Sequence, residues 1–387
     1  MKRFFLFIVA ALSLTGAIAQ VTGQPRQKMA IFTSLYLDDA FGSDGSYRYT
    51  DKTFPKASIP GLEFYHGAQM AIDSLDNMGL SLDIYVYDSK SRKETLDQQF
   101  SKCAADGVSL IIANCQNTEV AKLAGLAASK KIMLINATVP NDGNAVDNPY
   151  FVVLNPTLKT QVEGVYDYIK KNYAGRKLVV LNKKGVSEDY IKAAFEGTNK
   201  ANNNAVSVRF VNVADTVFSK LIADVLDKTQ PSLFLIGSLD AAFAGKVLAQ
   251  LSLLTKEQPT ITAVGMPTLE NVDLSTSKFK GVEIIYSTPF YNPRTDAVSR
   301  NLQAYYNRRM YARPSDLVFR GYGLTYTFGR LLSTYGKGLS TNMNAKGYSV
   351  FYDYDFQPVY SGGKVGYIEN KKLYFLKYLD GSLLSVN

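Results

Sequence analysis

The feature that most constrains the fold is an alternation of strand-like and helix-like segments that runs along the chain twice. In the first series, short apolar runs typical of buried strands occupy residues 30–37, 80–87, 108–113 and 132–136. Between these runs, apolar side chains recur at helical spacing, as they do at Phe64, Ala68, Ala71 and Leu75. Strands that alternate with helices pair in parallel and are covered by helices on both faces. The first series therefore predicts one complete α/β lobe.

A short strand at residues 150–154 ends at Asn155-Pro156, and a second series with the same order begins there. Its strand candidates occupy residues 177–181, 205–213, 232–237, 260–265 and 281–286. Two long helices are predicted next, at residues 296–311 and 315–335. The chain length of 387 residues also fits two domains of about 100–200 residues each.

These patterns divide the chain into two lobes, each assembled from two separate segments. We assign residues 24–154 and 289–345 to the first lobe, and residues 155–288 and 346–387 to the second. The segments expected to cross between the lobes, and to act as the hinge, are Asn155-Pro156, residues 287–289 and the chain near Tyr354.

Glycines in the last third of the chain predict close packing and tight turns. Gly321, Gly323 and Gly329 lie inside the helix at 315–335, where each costs about 1 kcal/mol relative to alanine, so we expect a closely packed neighbour there. The pairs Gly362-Gly363, Asn370-Lys371 and Asp380-Gly381 are typical of hairpin turns between short strands. We expect this tail to complete a sheet rather than to form a third domain.

The first 19 residues have the order of a cleavable secretory signal. Lys2-Arg3 precedes an apolar run at residues 4–14, and Ala17-Ile18-Ala19 provides the small residues of a cleavage site. Neither cysteine lies near this site, so no lipid anchor is expected, and no later run approaches the ~18 apolar residues of a membrane span. We expect a periplasmic or secreted protein that does not insert into the membrane.

Composition argues against several classes of chemistry. The formal net charge is +9, but the basic residues are scattered as isolated pairs, whereas nucleic-acid-binding proteins cluster them, so no nucleic-acid partner is expected. His66 is the only histidine, and it lies opposite the apolar stripe of its predicted helix, so we expect it to be exposed and not catalytic. No phosphate-binding glycine motif and no G-x-S-x-G motif is present. We therefore expect no enzyme activity, no cofactor and no metal, and an exported hydrolase is the weakest alternative.

The two cysteines are predicted to be free thiols. Cys103 lies near the end of a predicted helix, and Cys115 follows the strand at 108–113, so the length of that strand separates them. At ~3.3 Å per residue this exceeds the ~7 Å between Cα atoms that a disulfide can bridge.

Polar residues after the predicted strands mark the candidate ligand site, because open α/β sheets bind ligands at the carboxyl ends of their strands. In the first lobe, Asn114, Gln116 and Asn117 follow the third strand, and Asn136 and Thr138 follow the fourth. We expect Asn117 to cap the next helix, whose backbone N–H groups suit a carboxylate or another anion. Local turn chemistry is the alternative explanation for each of these residues.

The second lobe repeats this arrangement. Tyr190 lies at the end of the polar stretch after its first strand, and Ser238 and Asp240 follow its third strand. Ser187 and Ser238 are expected to cap helices. Polar loops at equivalent ends of two lobes predict a ligand held between them, with the lobes closing about a hinge.

The segment at residues 38–60 interrupts the regular alternation. It is rich in Gly, Ser, Asp and Tyr, and it separates the first strand from the first long helix, where ~2–6 residues would be enough. Such a loop at the end of a strand either overlies a ligand site or is a surface insertion.

Five segments, taken in chain order, resemble those of the type I periplasmic binding proteins, and most closely the leucine/isoleucine/valine-binding branch. They are residues 61–68 (GLEFYHGA), 113–116 (ANCQ), 136–140 (NATVP), 237–243 (GSLDAAF) and 320–324 (RGYGL). The resemblance spans about residues 28–377. It implies two doubly wound, Rossmann-like lobes joined by three crossovers. It also implies that the protein captures a small polar solute, an amino acid or similar, for delivery to an ABC importer, without catalysis.

The resemblance also assigns roles to three positions. Gln116 corresponds to a residue that holds a ligand carboxylate, and Thr138 to a threonine that helps to hold the ligand's amino group and carboxylate. Asp240 lies in the second-lobe loop that closes on the ligand. Gln116 stands where serine is usual, and residues 265–268 lack the acid that would pair with an α-amino group.

A second function fits the same fold. A cell-envelope interaction or regulatory module, similar to the activators of peptidoglycan synthases, would bind a partner protein in place of a transported solute. The missing acid and the long segment at 38–60 favour this alternative. A solute-binding protein would instead have an ABC permease as its partner.

Overall fold

The computed structural model describes residues 26–49, 54–213, 218–226, 230–257, 260–275 and 277–386. The predicted signal segment at residues 1–19 lies outside these described residues. The strands are β1 (Gln27–Thr33), β2 (Leu82–Asp88), β3 (Leu110–Asn114), β4 (Met133–Asn136), β5 (Phe151–Val153), β6 (Lys177–Asn182), β7 (Ser207–Asn212), β8 (Ser232–Ile236), β9 (Ile261–Gly265), β10 (Val282–Thr288), β11 (Phe356–Ser361), β12 (Lys364–Asn370), β13 (Tyr374–Leu379) and β14 (Ser382–Ser385). All ten strands of the two predicted series are therefore confirmed.

The helices lie between these strands, as predicted. They are α1 (Leu37–Ala40), α2 (Ile59–Asn77), α3 (Leu96–Ala105), α4 (Asn117–Lys130), α5 (Leu158–Asn172), α6 (Val186–Ala201), α7 (Phe218–Ala223), α8 (Ala241–Leu254), α9 (Ala297–Met310) and α10 (Asp316–Tyr335). Short 3₁₀ helices occupy Lys56–Ser58, Pro267–Asn271, Ser277–Phe279 and Gly336–Thr341. No helix in the described part of the chain has the length and apolar character needed to cross a membrane.

The strands form two seven-stranded sheets, one in each lobe. The first sheet has the order β11-β12-β5-β4-β3-β1-β2, and the second has the order β14-β13-β10-β9-β8-β6-β7. In each sheet the first five strands along the chain are parallel and follow the order 2-1-3-4-5, which is a doubly wound arrangement. The central strands are buried along their whole length because helices cover both faces. The predicted α/β class with two doubly wound lobes is confirmed.

One part of the predicted division between the lobes was wrong, and it concerns the tail from residue 346 onwards. β11 and β12, within residues 356–370, belong to the first sheet, although the tail from residue 346 was assigned to the second lobe. Only β13 and β14 join the second sheet. The tail therefore completes both sheets.

The third crossover consequently lies at residues 371–373, not near Tyr354. The predicted hairpins at Gly362-Gly363 and Asp380-Gly381 are confirmed as antiparallel connections. Asn370-Lys371 is not a hairpin turn, because β12 and β13, on either side of it, pair in different sheets. The other two crossovers follow β5 and β10, close to Asn155-Pro156 and residues 287–289 as expected.

Buried polar contacts join the first and third crossovers. The Glu369 carboxylate, which is fully buried, accepts hydrogen bonds from the backbone N–H of Thr157 at 2.7 Å and from its hydroxyl at 2.9 Å. The Lys371 ammonium lies 2.6 Å from the same carboxylate and also donates to the Thr160 hydroxyl. These contacts satisfy a charged group that would otherwise be costly to bury.

Helices α2 and α10 pack in direct backbone contact, as the glycines predicted. A Cβ atom added to Gly321 would lie 2.0 Å from the Phe64 carbonyl oxygen, and one added to Gly67 would lie 2.0 Å from the Val318 carbonyl oxygen. Only glycine permits these distances. The pair of helices covers one face of the first sheet, where Phe64 and Phe328 enter the core.

His66 is half-buried, so the expectation that it is exposed was wrong. Its ring lies 6.2 Å from that of Tyr306, and its Nδ1 atom is buried without a hydrogen-bond partner among the described residues. The face opposite the apolar stripe of α2 is covered by α9, which carries Tyr306. Burial lowers the pKa of His66.

Both cysteines are free and buried, as predicted. Cys103 packs in the first-lobe core beside Phe100, and the Cys115 thiol lies 3.5 Å from the Phe32 carbonyl oxygen. Burial raises the pKa of Cys103 to about 12 and raises that of Cys115 as well.

The segment at residues 38–60, described except for residues 50–53, lies at the surface, where the Asp38 carboxylate accepts hydrogen bonds from the Ser91 hydroxyl and the Arg92 backbone N–H in the loop after β2. Phe41 and Tyr47 pair in an isolated β-bridge, and their rings lie 5.5 Å apart. Tyr49 extends this row of rings, and all three are partly exposed to solvent.

Candidate functional site

A cleft of about 710 Å³ lies between the two lobes, at the carboxyl ends of their parallel strands. The first lobe contributes Asn117 after β3 and Asn141 after β4. The second lobe contributes Ser187 after β6, Leu239 after β8 and Thr268 after β9. The crossover segments form the floor at residues 155–156 and 288–292. The cleft therefore occupies the position where doubly wound sheets bind ligands.

Arg320 is the principal cationic group of this cleft. It lies on α10, its guanidinium stacks 3.9 Å from the centre of the Phe290 ring, and its Nε atom is buried without a hydrogen-bond partner among the described residues. Burial lowers its pKa, while nearby Glu270 and Asp316 oppose that effect. An arginine side chain remains protonated in proteins, so this group is a partly buried cation at the cleft wall.

Asp316, one turn earlier on α10, has a different partner. It forms an ion pair with Arg294, with 2.5 Å between the charged atoms. Arg294 in turn stacks on Phe319, 4.4 Å from its ring centre. Within the described residues, no ion pair joins Arg320 to Asp316 or to Glu270.

Glu270 brings a carboxylate to the cleft from a position just beyond residues 265–268. It lies on the 3₁₀ helix Pro267–Asn271 directly after β9 and lines the cleft from the second lobe. Water reaches the carboxylate inside the cleft, but the surrounding protein limits its hydration and raises its pKa, an effect that Arg320 opposes. Residues 265–268 themselves lack an acid, as the sequence analysis states, but the 3₁₀ helix brings Glu270, five positions after the end of β9, into the cleft.

The predicted first-lobe residues mostly shape their own loops. The Asn114 side chain is buried and donates to the Thr33 hydroxyl. Asn136 is fully buried and bonds to the backbone of residues 139 and 141. Thr138 accepts a hydrogen bond from the Asn155 side chain through its backbone oxygen and does not line the cleft.

Gln116, rather than Asn117, occupies the N-cap position of α4. The Gln116 backbone N–H donates to the Glu119 carboxylate at 2.9 Å, and the Gln116 side-chain oxygen accepts a hydrogen bond from the Lys90 ammonium at 2.8 Å. Its side-chain nitrogen lies 3.4 Å from the Tyr36 hydroxyl. Asn117 is the first helical residue, and its side chain is free to face the cleft.

The predicted second-lobe residues have local partners as well. The Ser238 hydroxyl donates to the Glu188 carboxylate, and Asp240 caps α8 by accepting from the backbone N–H groups of Ala242 and Phe243. Asp240 is also paired with Lys183 at 2.5 Å. The N-cap of α8 is therefore Asp240, not Ser238 as predicted.

The two remaining second-lobe residues lie on α6. Tyr190 faces a groove between α5 and α6, outside the cleft. Ser187 lies inside α6, which begins after Gly185, so it does not cap the helix, and it lines the cleft.

Of the eight predicted ligand residues, the described structure places only Asn117 on the cleft wall. Arg320 and Glu270, which both line the cleft, were not predicted as part of the site. A signal for Arg320 was present, since it is a charged residue directly before the closely packed Gly321 on a largely buried helix. In the described part of the chain, no group of three or more His, Cys, Asp or Glu residues is arranged to hold a metal ion.

Replacing Glu270 by glutamine is expected to stabilise the ligand-free protein at neutral pH. The folded protein raises the pKa of Glu270, despite Arg320, and Asp316 and Tyr286 are the other titratable groups near it. The ionised Glu270 carboxylate therefore lowers the free energy of unfolding at neutral pH. This loss is absent at pH values below the pKa that the carboxyl has in the unfolded chain. The gain in melting temperature for Glu270→Gln should be largest at pH 7–8 and should vanish towards pH 4.

Thermal unfolding of the two proteins across this pH range tests the expectation. The exposed Glu257 provides a matched control, since Glu257→Gln should show no comparable change with pH. A melting temperature for Glu270→Gln that is lower than that of the native protein at pH 7.5 would contradict it.

Two doubly wound lobes with a cleft between them are the features of the type I periplasmic binding protein fold. The family model described as periplasmic binding protein matches residues 50–368, and the chain belongs to this family. None of the curated proteins matches the sequence.

Solved structures with the same fold include proteins assigned to ABC transport and a regulator of PBP1A. A Rhodospirillum rubrum protein assigned to branched-chain amino acid ABC transport aligns with a TM-score of 0.67 at 14% identity, over 93% of this chain and 100% of its own. An ABC transporter substrate-binding protein from Desulfitobacterium hafniense, in complex with Leu, has a TM-score of 0.57 at 12% identity, over 93% and 100%. The C-domain of LpoA from Haemophilus influenzae, a regulator of PBP1A, has a TM-score of 0.58 at 12% identity, also over 93% and 100%. At these identities the likeness shows the fold alone.

Proposed function

We propose that this protein is an extracytoplasmic solute-binding protein that holds a small polar ligand between its lobes and delivers it to an ABC importer. The observation that carries this proposal is the cleft itself, which Arg320 lines from the first lobe and Glu270 from the second, with no ion pair between them among the described residues. No catalytic role is proposed for these groups. The secretory signal predicted at residues 1–19 supports export to the periplasm or beyond.

The proposal predicts that a small molecule stabilises the mature protein. A ligand present at 100 times its dissociation constant adds ~2.7 kcal/mol to the free energy of unfolding, which raises the melting temperature by several degrees. Native mass spectrometry of the purified protein, followed by thermal shift with amino acids, short peptides, cell-wall fragments, sugars and nucleobases, measures this directly. A co-purified small molecule, or one stabilising compound, is the expected result.

A second candidate is an envelope interaction module of the same fold. The exposed row formed by Phe41, Tyr47 and Tyr49 favours it, since such rings are common in protein interfaces. The LpoA likeness adds that this fold also serves a regulator. An empty cleft in native mass spectrometry together with unchanged melting temperatures throughout the panel would reject solute capture and leave this alternative.

A further inference from the structure

We propose that two copies of this chain associate through the outer surface of helices α2 and α9, as a symmetric dimer in which the helices of one copy run antiparallel to those of the other. We name this surface the α2–α9 face, and the residues that define it are Met70, Asp73, Asp76, Tyr305, Arg308 and Arg309. No described residue of either helix lines the cleft. The dimer is therefore independent of solute capture.

An apolar groove of about 400 Å³ runs between the two helices. Met70 of α2 lines it from one side, and Val298, Leu302 and Tyr305 of α9 line it from the other. Val298 and Tyr305 remain 40% and 39% exposed to solvent. A groove that leaves several apolar side chains together in water is typical of a surface that another protein covers.

The order of contacts shows that α2 and α9 run antiparallel. Near the end of α2, Asp73 borders the groove together with Val298 from the start of α9. Earlier on α2, the His66 ring lies 6.2 Å from that of Tyr306, which is later on α9. One end of the α2–α9 face therefore combines the C-terminus of α2 with the N-terminus of α9. The other end combines the N-terminus of α2 with the C-terminus of α9.

Charge is separated between these two ends. Helix α2 contains no lysine or arginine, and its exposed carboxylates, Asp73 and Asp76, lie near its C-terminus. Helix α9 contains no acidic residue, and the exposed Arg308 and Arg309 lie near its C-terminus. Among the described residues, none of these four side chains has an ion-pair or hydrogen-bond partner. The face is thus acidic at one end and basic at the other, with the apolar groove between them.

Charged side chains of the opposite sign are present near both ends, but the chain itself holds them. Glu63, near the basic end, accepts a hydrogen bond from the Ser315 hydroxyl at 2.8 Å. Arg300, near the acidic end, donates to the Thr295 carbonyl oxygen. Asp73, Asp76, Arg308 and Arg309 are therefore the charges available to a partner.

Helix stability does not explain the two aspartates. Carboxylates near the C-terminus of a helix interact unfavourably with the helix dipole, and basic residues are favoured there. Asp73 and Asp76 also have no basic neighbour one turn away, because α2 carries no lysine or arginine. Their position becomes favourable when a positive group approaches from outside the chain.

A second copy of the chain supplies that group. A two-fold axis perpendicular to the helices, through the middle of the groove, places the acidic end of each copy against the basic end of the other. Asp73 of each copy then faces Arg309 of the other copy, and an arginine can hold a carboxylate through two parallel hydrogen bonds. The same rotation sets the two apolar grooves against each other. An acidic partner or a basic partner of another kind would satisfy only one end.

The size of the face sets the expected affinity. Helices of 19 and 14 residues are about 20–30 Å long, so the contact is smaller than the interface of a permanent dimer. We therefore expect a reversible dimer with a dissociation constant of about 1–100 μM.

Sedimentation velocity of the purified mature protein, over a concentration range of about 1–200 μM at low salt, measures this equilibrium. The expected result is a shift from monomer to dimer across that range. Raising the salt concentration to about 0.5 M should weaken the dimer, because exposed charges are then screened.

Reversing single charges tests the antiparallel arrangement. Arg309→Glu and Asp73→Arg each place like charges against each other at both ends of the dimer, and each should weaken it at least about tenfold. The protein that carries both substitutions exchanges the charges and should form the dimer again. Glu257→Arg, at an exposed acid of the second lobe, is the matched control and should associate like the native protein.

Three results would overturn the proposal: a monomer at every concentration, a dimer that neither reversal weakens, or a dimer lost in both single variants and not recovered in their combination. If a reversal variant did not fold, Arg309→Gln and Asp73→Asn would replace it, and an unchanged dissociation constant in both would also reject the α2–α9 face. Because the cleft lies elsewhere, none of these results changes the test of solute capture.

Discussion

Replacing Gly67 by alanine should destabilise the protein severely. The added Cβ atom would lie 2.0 Å from the Val318 carbonyl oxygen and 2.8 Å from the Tyr322 nitrogen, and both atoms belong to the backbone of α10. No side-chain rotation relieves such a contact, so α2 and α10 must move apart. We expect a loss of about 3 kcal/mol or more, at the upper end of the range for overpacked cores. Gly321→Ala should destabilise the protein to a similar extent, because its added Cβ atom would lie 2.0 Å from the Phe64 carbonyl oxygen.

Urea unfolding followed by far-ultraviolet circular dichroism measures this loss. Gly125, on the exposed side of α4, is the matched control, since an added Cβ atom there meets no atom within 4 Å. Gly125→Ala should be neutral or should stabilise the protein by about 0.4–1 kcal/mol. If Gly67→Ala and Gly125→Ala were equally stable, the direct backbone contact between α2 and α10 would be refuted.

Replacing Glu369 by alanine should have the second large effect. The substitution leaves the backbone N–H of Thr157 and the ammonium of Lys371 without their acceptor in a buried crossover. Removing one partner of a buried ion pair typically costs about 3–5 kcal/mol. Lys371→Met should also be costly, because it leaves the fully buried carboxylate without its cation.

A surface ion pair supplies the comparison for Glu369. Lys192 and Glu196 lie one turn apart on α6, 4.0 Å from each other and largely exposed. Glu196→Ala should therefore cost at most about 0.5 kcal/mol. Similar free energies of unfolding for Glu369→Ala and Glu196→Ala would mean that the crossover contacts contribute little to stability.

The two lobes were predictable because their signals are local. Each strand of the two series is a short apolar run, and the intervening helices keep regular apolar spacing. Parallel pairing and covered faces follow from that alternation. The third crossover was not predictable in the same way. Asn370-Lys371 has the composition of a hairpin turn, and nothing local distinguishes a turn within one sheet from a passage between two sheets.

The site depended on contacts that no local pattern encodes. Polar residues after strands were predicted to face a ligand, but Asn114, Asn136 and Asp240 use their side chains to hold the loops themselves. Arg320 becomes a site residue only because α10 packs against α2 and turns it towards the crossover that carries Phe290. Glu270 reaches the cleft through a single 3₁₀ turn. His66 was misjudged for a similar reason, since α9 covers its face of α2.

The interleaving of the two sheets has a consequence for how the chain acquires its structure during synthesis. The first sheet needs β12 beside β5, and the second needs β13 beside β10, so both wait for the last segment of the polypeptide. A partly emerged chain can form the two parallel cores but can complete neither edge. Pairings so distant in sequence form slowly, since a long loop must close before they contribute. The molecule should therefore complete both sheets late, once β12 and β13 have paired with β5 and β10.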